Sequence, residues 1–334
     1  MKPTIATIGI PVFNGAQTVA QTIESALAQD CPGLEVILVD NASTDDTVDI
    51  ARRYESRGLK IYRNEENIGF NRNFNRVIEL AQGEYLLILS ADDLLIRPDA
   101  IGLLVAEMEK HPTAAFVFSA VELIDANGGK IGTQHAQLQA GLIERDSFLR
   151  MMLVRTYPVS LNTALFRRML LQKHGGFDAR FVNSDMLLIA RLLSEADVVY
   201  SDKQLGAYRI VESSTGNQLL YSQTDLLSRK MAFIDALFDF LGEDYRHLYR
   251  PSAARWLKYT ENMIIPARIK TGHRKAFALG TDIIRNRPVR MIHPRFLLIF
   301  CSAMLLPKRL LKYLFRLAAN LLGKQGTAVE RALD

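Results

Sequence analysis

Two cysteines, Cys31 and Cys301, are all that the 334 residues contain. Their wide separation argues against a disulfide framework and suits a reducing compartment. The six histidines form no H-E-x-x-H and no cluster with cysteine, which argues against a zinc site. No G-x-G-x-x-G follows the first strand-like run and no G-x-x-x-x-G-K-[ST] occurs anywhere. A dinucleotide fold and a P-loop are therefore disfavoured. No apolar run reaches the roughly 18 residues of a membrane-spanning helix. Lys2-Pro3 leads straight into a strand-like run, so no secretory leader is expected. Repeats and low-complexity tracts do not stand out either.

What is present is an ordinary folded composition, 49% hydrophobic and 23% charged, in a chain long enough for more than one subdomain. The charge is unevenly placed. Residues 1–220 carry 21 Lys+Arg against 27 Asp+Glu, a net −6, whereas residues 221–334 carry 20 against 9, a net +11. A basic tail points to an anionic partner surface. Zinc-finger spacing, RNA-binding signatures and aromatic-basic interleaving are not found, so nucleic acid is set aside and a membrane surface is expected.

Strand and helix patterns alternate over the first 120 residues. Thr4 to Ile10 reads as a strand closed by Pro11. Thr18 to Ala28 is helical, with Val19, Ile23, Ala26 and Leu27 on one face. Glu35 to Val39 is a strand ending at Asp40, and Thr44 to Tyr54 a helix capped by Ser43 or Thr44. Leu59 to Tyr62 is a strand, Phe70 to Ala81 a helix, and residues 85–89 a strand. Asp99 to Lys110 is helical and Ala114 to Val121 a strand. Such alternation implies a parallel sheet with right-handed crossovers. Asp125-Ala126-Asn127-Gly128-Gly129 marks a hairpin turn. Residues 144–155 and 183–196 read as helices, and Val198 to Tyr200 and Leu205 to Ile210 as two short strands. Only helical patterns follow residue 222.

The most informative stretch is Gly83-Glu84-Tyr85-Leu86-Leu87-Ile88-Leu89-Ser90-Ala91-Asp92-Asp93. It reads as a buried strand ending in two adjacent carboxylates, where open α/β sheets bind ligands. A divalent cation relieves the repulsion between such acids, and a hard cation suggests a phosphate-bearing substrate. Three further polar segments follow strands: Ile10-Pro11-Val12-Phe13-Asn14-Gly15, Val39-Asp40-Asn41-Ala42-Ser43-Thr44-Asp45-Asp46-Thr47, and Glu66-Asn67-Ile68-Gly69-Phe70-Asn71-Arg72-Asn73-Phe74-Asn75. Four polar loops on one sheet edge make a crevice for a polar ligand.

These segments, in this order and spacing, resemble the nucleotide-sugar-dependent glycosyltransferases of family 2, with the GT-A fold: a Rossmann-like, mostly parallel sheet flanked by helices. The resemblance covers about residues 4–100. It continues more weakly to about 215 through Gly175-Gly176-Phe177-Asp178, Asn183-Ser184-Asp185, Arg191 and Leu205-Gly206-Ala207-Tyr208-Arg209. It implies that Asp40 hydrogen-bonds the base, facing a donor such as the uracil N–H, and that Pro11, Phe13 and Asn14 line the base and ribose side. Asp92 would bind Mg²⁺ or Mn²⁺ at the diphosphate, with Asp93 supporting the ion or touching the sugar. Asp185 matches the catalytic base that deprotonates the acceptor hydroxyl in an inverting displacement. Asn67, Gly69 and Asn75 either line the donor or build the turn and cap the helix.

The chain departs from the family pattern at several places. Ser90 replaces the first acid of D-A-D-D and offers a ribose hydroxyl a hydrogen bond but no charge. Ser184 stands where the family has Glu, Asn73 where it has a small residue, and Val211 where many members have His. Arg209 or Ser213 would then serve the diphosphate.

The expected organisation is a nucleotide-sugar half over residues 1–122, an acceptor half over 123–215, and a basic, α-helical extension over 216–334. Within the extension, residues 308–322 place Lys308, Arg309, Lys312, Arg316 and Asn320 on a narrow stripe of an otherwise apolar helix. Arg285, Arg287, Arg290 and Arg295 precede it. A membrane surface contacted through 285–322 is the reading; packing on the catalytic domain, or a dimer interface, is the alternative. The whole describes a cytoplasmic enzyme, peripheral at the inner face of the cell membrane. It would move a sugar from a nucleoside diphosphate donor, UDP first, to a glycan or polyprenyl-linked acceptor in cell-surface polysaccharide synthesis. A GT-A module that binds nucleotide-sugar without turnover is the rival. A nucleotidyltransferase is disfavoured because Pro11-Val12-Phe13-Asn14-Gly15 carries no basic residue.

Overall fold

The apolar run Ala6–Val12 forms β1, and every one of its residues is buried between parallel neighbours. The computed structural model to which it belongs describes residues 5–155, 157–210 and 226–262. The chain divides into two units, Met1–Ile210 and Val211–Asp334.

One mixed sheet organises the first unit. Its strand order is β3 (Leu59–Arg63), β2 (Leu34–Asp40), β1, β4 (Tyr85–Ile88), β9 (Leu165–Arg167), β6 (Ala114–Ile124), β10 (Asp197–Arg209) and β5 (Leu94–Leu95). β7 (Lys130–Gln134) pairs with β6, and β8 (Gly141–Ile143) with β10. The first four strands in this order run parallel, as the strand-helix alternation predicts. β9 then inserts antiparallel to both β4 and β6, with Phe166 opposite Leu86 on one side and Phe116 on the other. The helices are α1 (Val19–Leu27), α2 (Thr47–Arg52), α3 (Phe70–Leu80), α4 (Ala100–Lys110), α5 (Arg145–Val154), α6 (Arg168–Lys173) and α7 (Ser184–Leu193). The resulting α/β architecture is that of the GT-A fold.

Burial explains the apolar runs. Ile8, Ile10, Leu38, Leu87 and Leu89 are fully buried together with Ile23 of α1 and Leu104 of α4. A second core is aromatic. Phe116 stacks on Phe166 at 5.2 Å, and Phe118 meets Tyr200 at 5.1 Å and Phe148 at 5.7 Å. Such pairs each add about 0.5–1.5 kcal/mol beyond simple burial.

Several sequence expectations need correction. β1 runs through Pro11 to Val12. The Gly9 carbonyl faces β4, accepting from Leu89 N, and the Val12 carbonyl faces β2, accepting from Asn41 N. Pro11 alternates with these and faces the side where the β4 pairing has already stopped at Gly9, so its missing N–H removes no ladder bond. α2 begins only at Thr47, because Ser43, Asp45 and Thr47 direct their oxygens to neighbouring loops. The two strands expected at 198–200 and 205–210 are one strand, β10, with register shifts on either side of Gln204. Its polar Ser201-Asp202-Lys203-Gln204 stretch disguised the continuity. Asp125 to Gly129 forms the β6–β7 hairpin turn, with Asp125 N donating to Gly129 O at 2.8 Å.

The second unit is described over α8 (Leu226–Leu241), a 3-10 segment (Glu243–Leu248) and α9 (Tyr249–Asn262). Phe233, Ile234, Leu237 and Phe238 are its buried face, and Tyr249 donates its hydroxyl to Asp235 at 2.5 Å. Among the described residues no helix is long and apolar enough to cross a membrane. The basic stripe at 285–322, Val211 and Ser213 lie outside the described residues.

Candidate functional site

The carboxyl ends of β1 to β4 deliver four loops to one edge of the sheet. Those after β1 and β2 are laced together. Asn14 N donates to Ser43 Oγ at 2.8 Å, Gly15 N to Thr47 Oγ1 at 2.8 Å and Ala16 N to Asp45 Oδ2 at 3.1 Å. Thr44 N returns a bond to Asn14 Oδ1 at 2.9 Å. Burial pushes the Asp45 carboxyl up. Hydrogen bonds from the Thr47 hydroxyl and the Ala16 and Thr47 amides outweigh it, and the carboxyl lies below its usual range. This lacing requires left-handed backbone at two non-glycine positions, Asn14 (φ 52°) and Ala42 (φ 60°). Asn14 is therefore a loop clamp through its side-chain oxygen. Phe13 beside it is an exposed aromatic, at 48% of its surface.

Asp40 ends β2 with its carboxylate fully buried. Ser43 N donates to both its oxygens, at 3.1 and 3.3 Å, and Arg63 Nε lies 3.2 Å from Oδ2. Arg63 also donates to Ser43 O at 2.9 Å. This arginine ends the neighbouring strand β3 and was missed in the sequence. Its position on the same edge as Asp40 is the signal that could have found it.

Asn67 and Gly69 build the turn that opens α3, whereas Asn75 bonds a segment distant in sequence. Asn67 Oδ1 accepts from Asn41 Nδ2 at 2.8 Å and from Gly69 N at 2.9 Å. Gly69 holds φ 84° at the start of α3, a turn conformation that favours glycine. Asn75 does not face the loops at all: it grips the backbone of Phe177 on both sides, as donor to its carbonyl at 2.8 Å and acceptor from its amide at 2.7 Å. Asn73, the departure from a small residue, is buried. It donates to Val39 O at 3.0 Å and accepts from Asn64 Nδ2 at 2.9 Å.

The acid pair follows β4. Asp93 N turns back to Ser90 O at 3.0 Å, and Thr22 Oγ1 donates to Asp93 O at 2.9 Å. Asp93 is buried and Asp92 is part-exposed, so Asp92 is the acid on the open side. Burial raises the Asp92 carboxyl above its usual range. Burial and then the Asp92 charge drive Asp93 well above it, against the pull of Arg209. Tyr208 lies beside the pair; burial, Asp93 and Asp92 together push its phenol up to about 12.

Arg209 requires a correction. The residue is 1% exposed and each of its three guanidinium nitrogens donates to a protein oxygen, so it is buried behind the pair rather than open to a diphosphate. Nε donates to Asp92 O at 2.8 Å, one terminal nitrogen to Asp125 O and Ala126 O at 3.2 and 3.0 Å, and the other to Gln21 Oε1 at 2.7 Å. Arg209 supports the acid pair from behind.

Among the described residues no three His, Cys, Asp or Glu side chains gather as a ready cation cage. The two acids still fit one hard divalent ion. Burial raises both carboxyls, with the Asp92 charge adding to it at Asp93, and a cation would favour their charged forms; Mg²⁺-type ions complete their shell with phosphate oxygens and water.

Asp185 is the second residue of α7, in its first turn. Tyr157 lies beside it: burial, and then the Asp185 charge, push that phenol well above its usual range. Nothing in the sequence pattern linked Tyr157 to Asp185.

Comparison with known proteins identifies the family and the fold. The family model described as Glycosyl transferase family 2 matches residues 7–175, half of the chain. A PGL/p-HBAD biosynthesis glycosyltransferase of Mycobacterium bovis is 32% identical over 130 residues, 38% of this chain and 50% of that protein. The chain thus spans about half the length of that relative. Two solved structures share the fold. S. aureus TarS 1-349 in complex with UDP aligns with TM-score 0.53 at 19% identity, over 84% of this chain and 88% of the other. The mannosyltransferase PcManGT of Pyrobaculum calidifontis, in complex with GDP-Man and Mn²⁺, aligns with TM-score 0.54 at 18% identity, over 97% and 89%. With the family model spanning the crevice and its loops, the chain belongs to glycosyl transferase family 2 and is a glycosyltransferase.

Proposed function

We propose that the chain transfers one sugar, with inversion, from a nucleoside diphosphate donor to a glycan or polyprenyl-linked acceptor in cell-surface polysaccharide synthesis. The observation that carries this reading is the acid pair Asp92–Asp93, pinned by Arg209 at the same sheet edge as the Asp40 loop. The base and ribose lie against Pro11, Phe13 and the Asp40 loop. Uridine is the first choice because a carboxylate only accepts hydrogen bonds and the uracil N–H donates one. The UDP bound by TarS and the GDP-Man and Mn²⁺ bound by PcManGT support a nucleotide-sugar donor and a divalent ion.

Asp92, the more exposed of the pair, would hold Mg²⁺ or Mn²⁺, with Asp93 supporting it. When bound, the ion neutralises the departing diphosphate. Ser90 faces the ribose with a hydroxyl. Asp185 accepts the acceptor hydroxyl's proton as the acceptor oxygen bonds to the sugar's C1, and the C1–O bond to the diphosphate breaks. The basic stretch 285–322 holds the enzyme at the inner face of the cell membrane, where a lipid-linked acceptor resides.

A thermal-shift panel of UDP-, GDP- and dTDP-sugars, with and without Mn²⁺, tests the donor side, because a true donor stabilises the fold by mass action. Nucleotide release that disappears in Asp185→Asn while the shift persists supports the base assignment. Persistent release in Asp185→Asn overturns it. Binding without release of nucleotide or sugar favours the non-catalytic module that Ser90 brings to mind. Membrane recovery unchanged after deletion of residues from 295 onward counts against the tail's role.

A further inference from the structure

α3 connects two parts of the first unit that are distant in sequence. Its inner side is tied to the end of β2 through Asn73 and Val39, next to Asp40. Its other side holds the segment 177–181. Asn75 makes two bonds to the Phe177 backbone, and Asn71 Nδ2 donates to Asp178 O at 3.1 Å and Phe181 O at 2.8 Å. The Phe74 ring meets Phe177 edge-on at 5.2 Å. Gly176 permits the grip: it adopts φ +63°, and a Cβ there would sit 2.3 Å from Asn75 Oδ1. From this segment the contact runs onward into α7, where Arg191 lies 3.7 Å from Asp178 Oδ2. Asp185 sits in the first turn of that helix.

Side-chain hydrogen bonds to backbone groups at both ends of one short segment, at Phe177 and Phe181, fix its position, not merely its proximity. Neither asparagine is needed to cap α3. Neither side chain bonds within the four-loop edge, yet both bond the turn segment 177–181 that precedes Asp185. We propose that Asn71 and Asn75 are positioning residues, which transmit the placement of the nucleotide loops to the acid on α7. The inference rests on the reading of Asp185 as the base.

The test uses the full chain and the variants Asn75→Ala and Asn71→Ala. The milder Asn71→Ala leaves the Asn75 pair intact and serves if Asn75→Ala does not fold. Hydrogen–deuterium exchange with UDP and Mn²⁺ present should rise about tenfold or more across 177–187 in the variants, with 9–16 and 40–47 unchanged. The thermal shift given by UDP and Mn²⁺ should match the parent. With a turned-over sugar nucleotide, kcat should fall about 10- to 100-fold and the donor KM stay within about twofold. Unchanged exchange across 177–187 overturns the proposal. So does an unchanged kcat, or a raised donor KM at constant kcat, which would make these residues donor ligands. If the parent releases nucleotide from no donor, the transferase reading fails, and exchange alone decides the inference.

Discussion

Arg209 donates its backbone N–H to Asp93 Oδ1 at 2.9 Å and its Nε to the Asp92 carbonyl at 2.8 Å, so one residue of β10 holds both acids of the pair. Backbone and side chain act on different atoms of the same turn. The acids are thereby fixed in place before any cation or diphosphate arrives, and the arginine charge offsets part of their repulsion.

Replacing Arg209 tests this support. Arg209→Ala removes a buried cation and leaves the Asp92, Asp125 and Ala126 carbonyls without their donor. It should destabilise the chain by about 3 kcal/mol or more in urea unfolding. Arg209→Lys keeps the charge but not the planar fork, and should recover less than half of that loss. Equal stability of Arg209→Ala and the parent would show that the bonds contribute nothing.

Ala42 offers a gain instead. Its φ of 60° costs an alanine about 1–2 kcal/mol, while glycine there loses more chain entropy on folding. Ala42→Gly should therefore stabilise by about 0.5–1 kcal/mol, read as a raised urea midpoint at unchanged slope. Nucleotide-induced thermal shifts should be preserved, because the lacing of the β1 and β2 loops remains.

Glu35 governs acid sensitivity at the opposite end of the sheet. Its carboxylate accepts from Thr7 Oγ1 at 2.7 Å, Gln82 N at 2.9 Å and Lys60 Nζ at 2.7 Å. Burial pushes its pKa up, but these bonds outweigh it and hold the value below the usual range. The folded value thus lies below the unfolded one of about 4.3. The stabilisation is fully present above that pH and is lost as pH falls through the folded value. Glu35→Gln should cost about 1–2 kcal/mol at pH 7 and nothing comparable near pH 2. Parallel stability–pH curves for the two proteins would contradict this.

Gly176→Ala probes the clamp on Phe177 without replacing either asparagine. A Cβ would meet Asn75 Oδ1 at 2.3 Å, and the backbone is left-handed. A loss of about 1–3 kcal/mol in urea unfolding is expected, with faster amide exchange around residue 177. An undisturbed exchange pattern would mean that the loop accommodates the methyl elsewhere.

The edge that carries Asp40 and the acid pair was legible because its grammar is local. Tyr85 to Leu89 is apolar and then stops at acids, and Leu34 to Val39 stops at Asp40, so strand ends and their polar loops could be read directly. The partners of those residues were not legible. Asn75 and Phe177 are 102 positions apart. Arg209 looked like a phosphate ligand because a charged residue near a site suggests solvent or substrate, whereas its burial depends on β5, β6 and α1 meeting around it. β9 is three residues long and has no periodicity to detect. β10 was split in two because a polar bulge resembles a loop. Asn67 and Asn75 were ambiguous in principle, since an amide that binds a ligand and one that binds backbone look alike in sequence.

The insertion of β9 has a consequence for assembly on the ribosome. Among the described residues β4 and β6 are bridged by the strand Leu165–Arg167, so a nascent chain that has produced the first four strands still presents β4 with a bare flank. Arg209 arrives later still. Until it docks, the growing polypeptide carries two adjacent acids with no guanidinium behind them, and their support waits for a residue 116 positions downstream of Asp93.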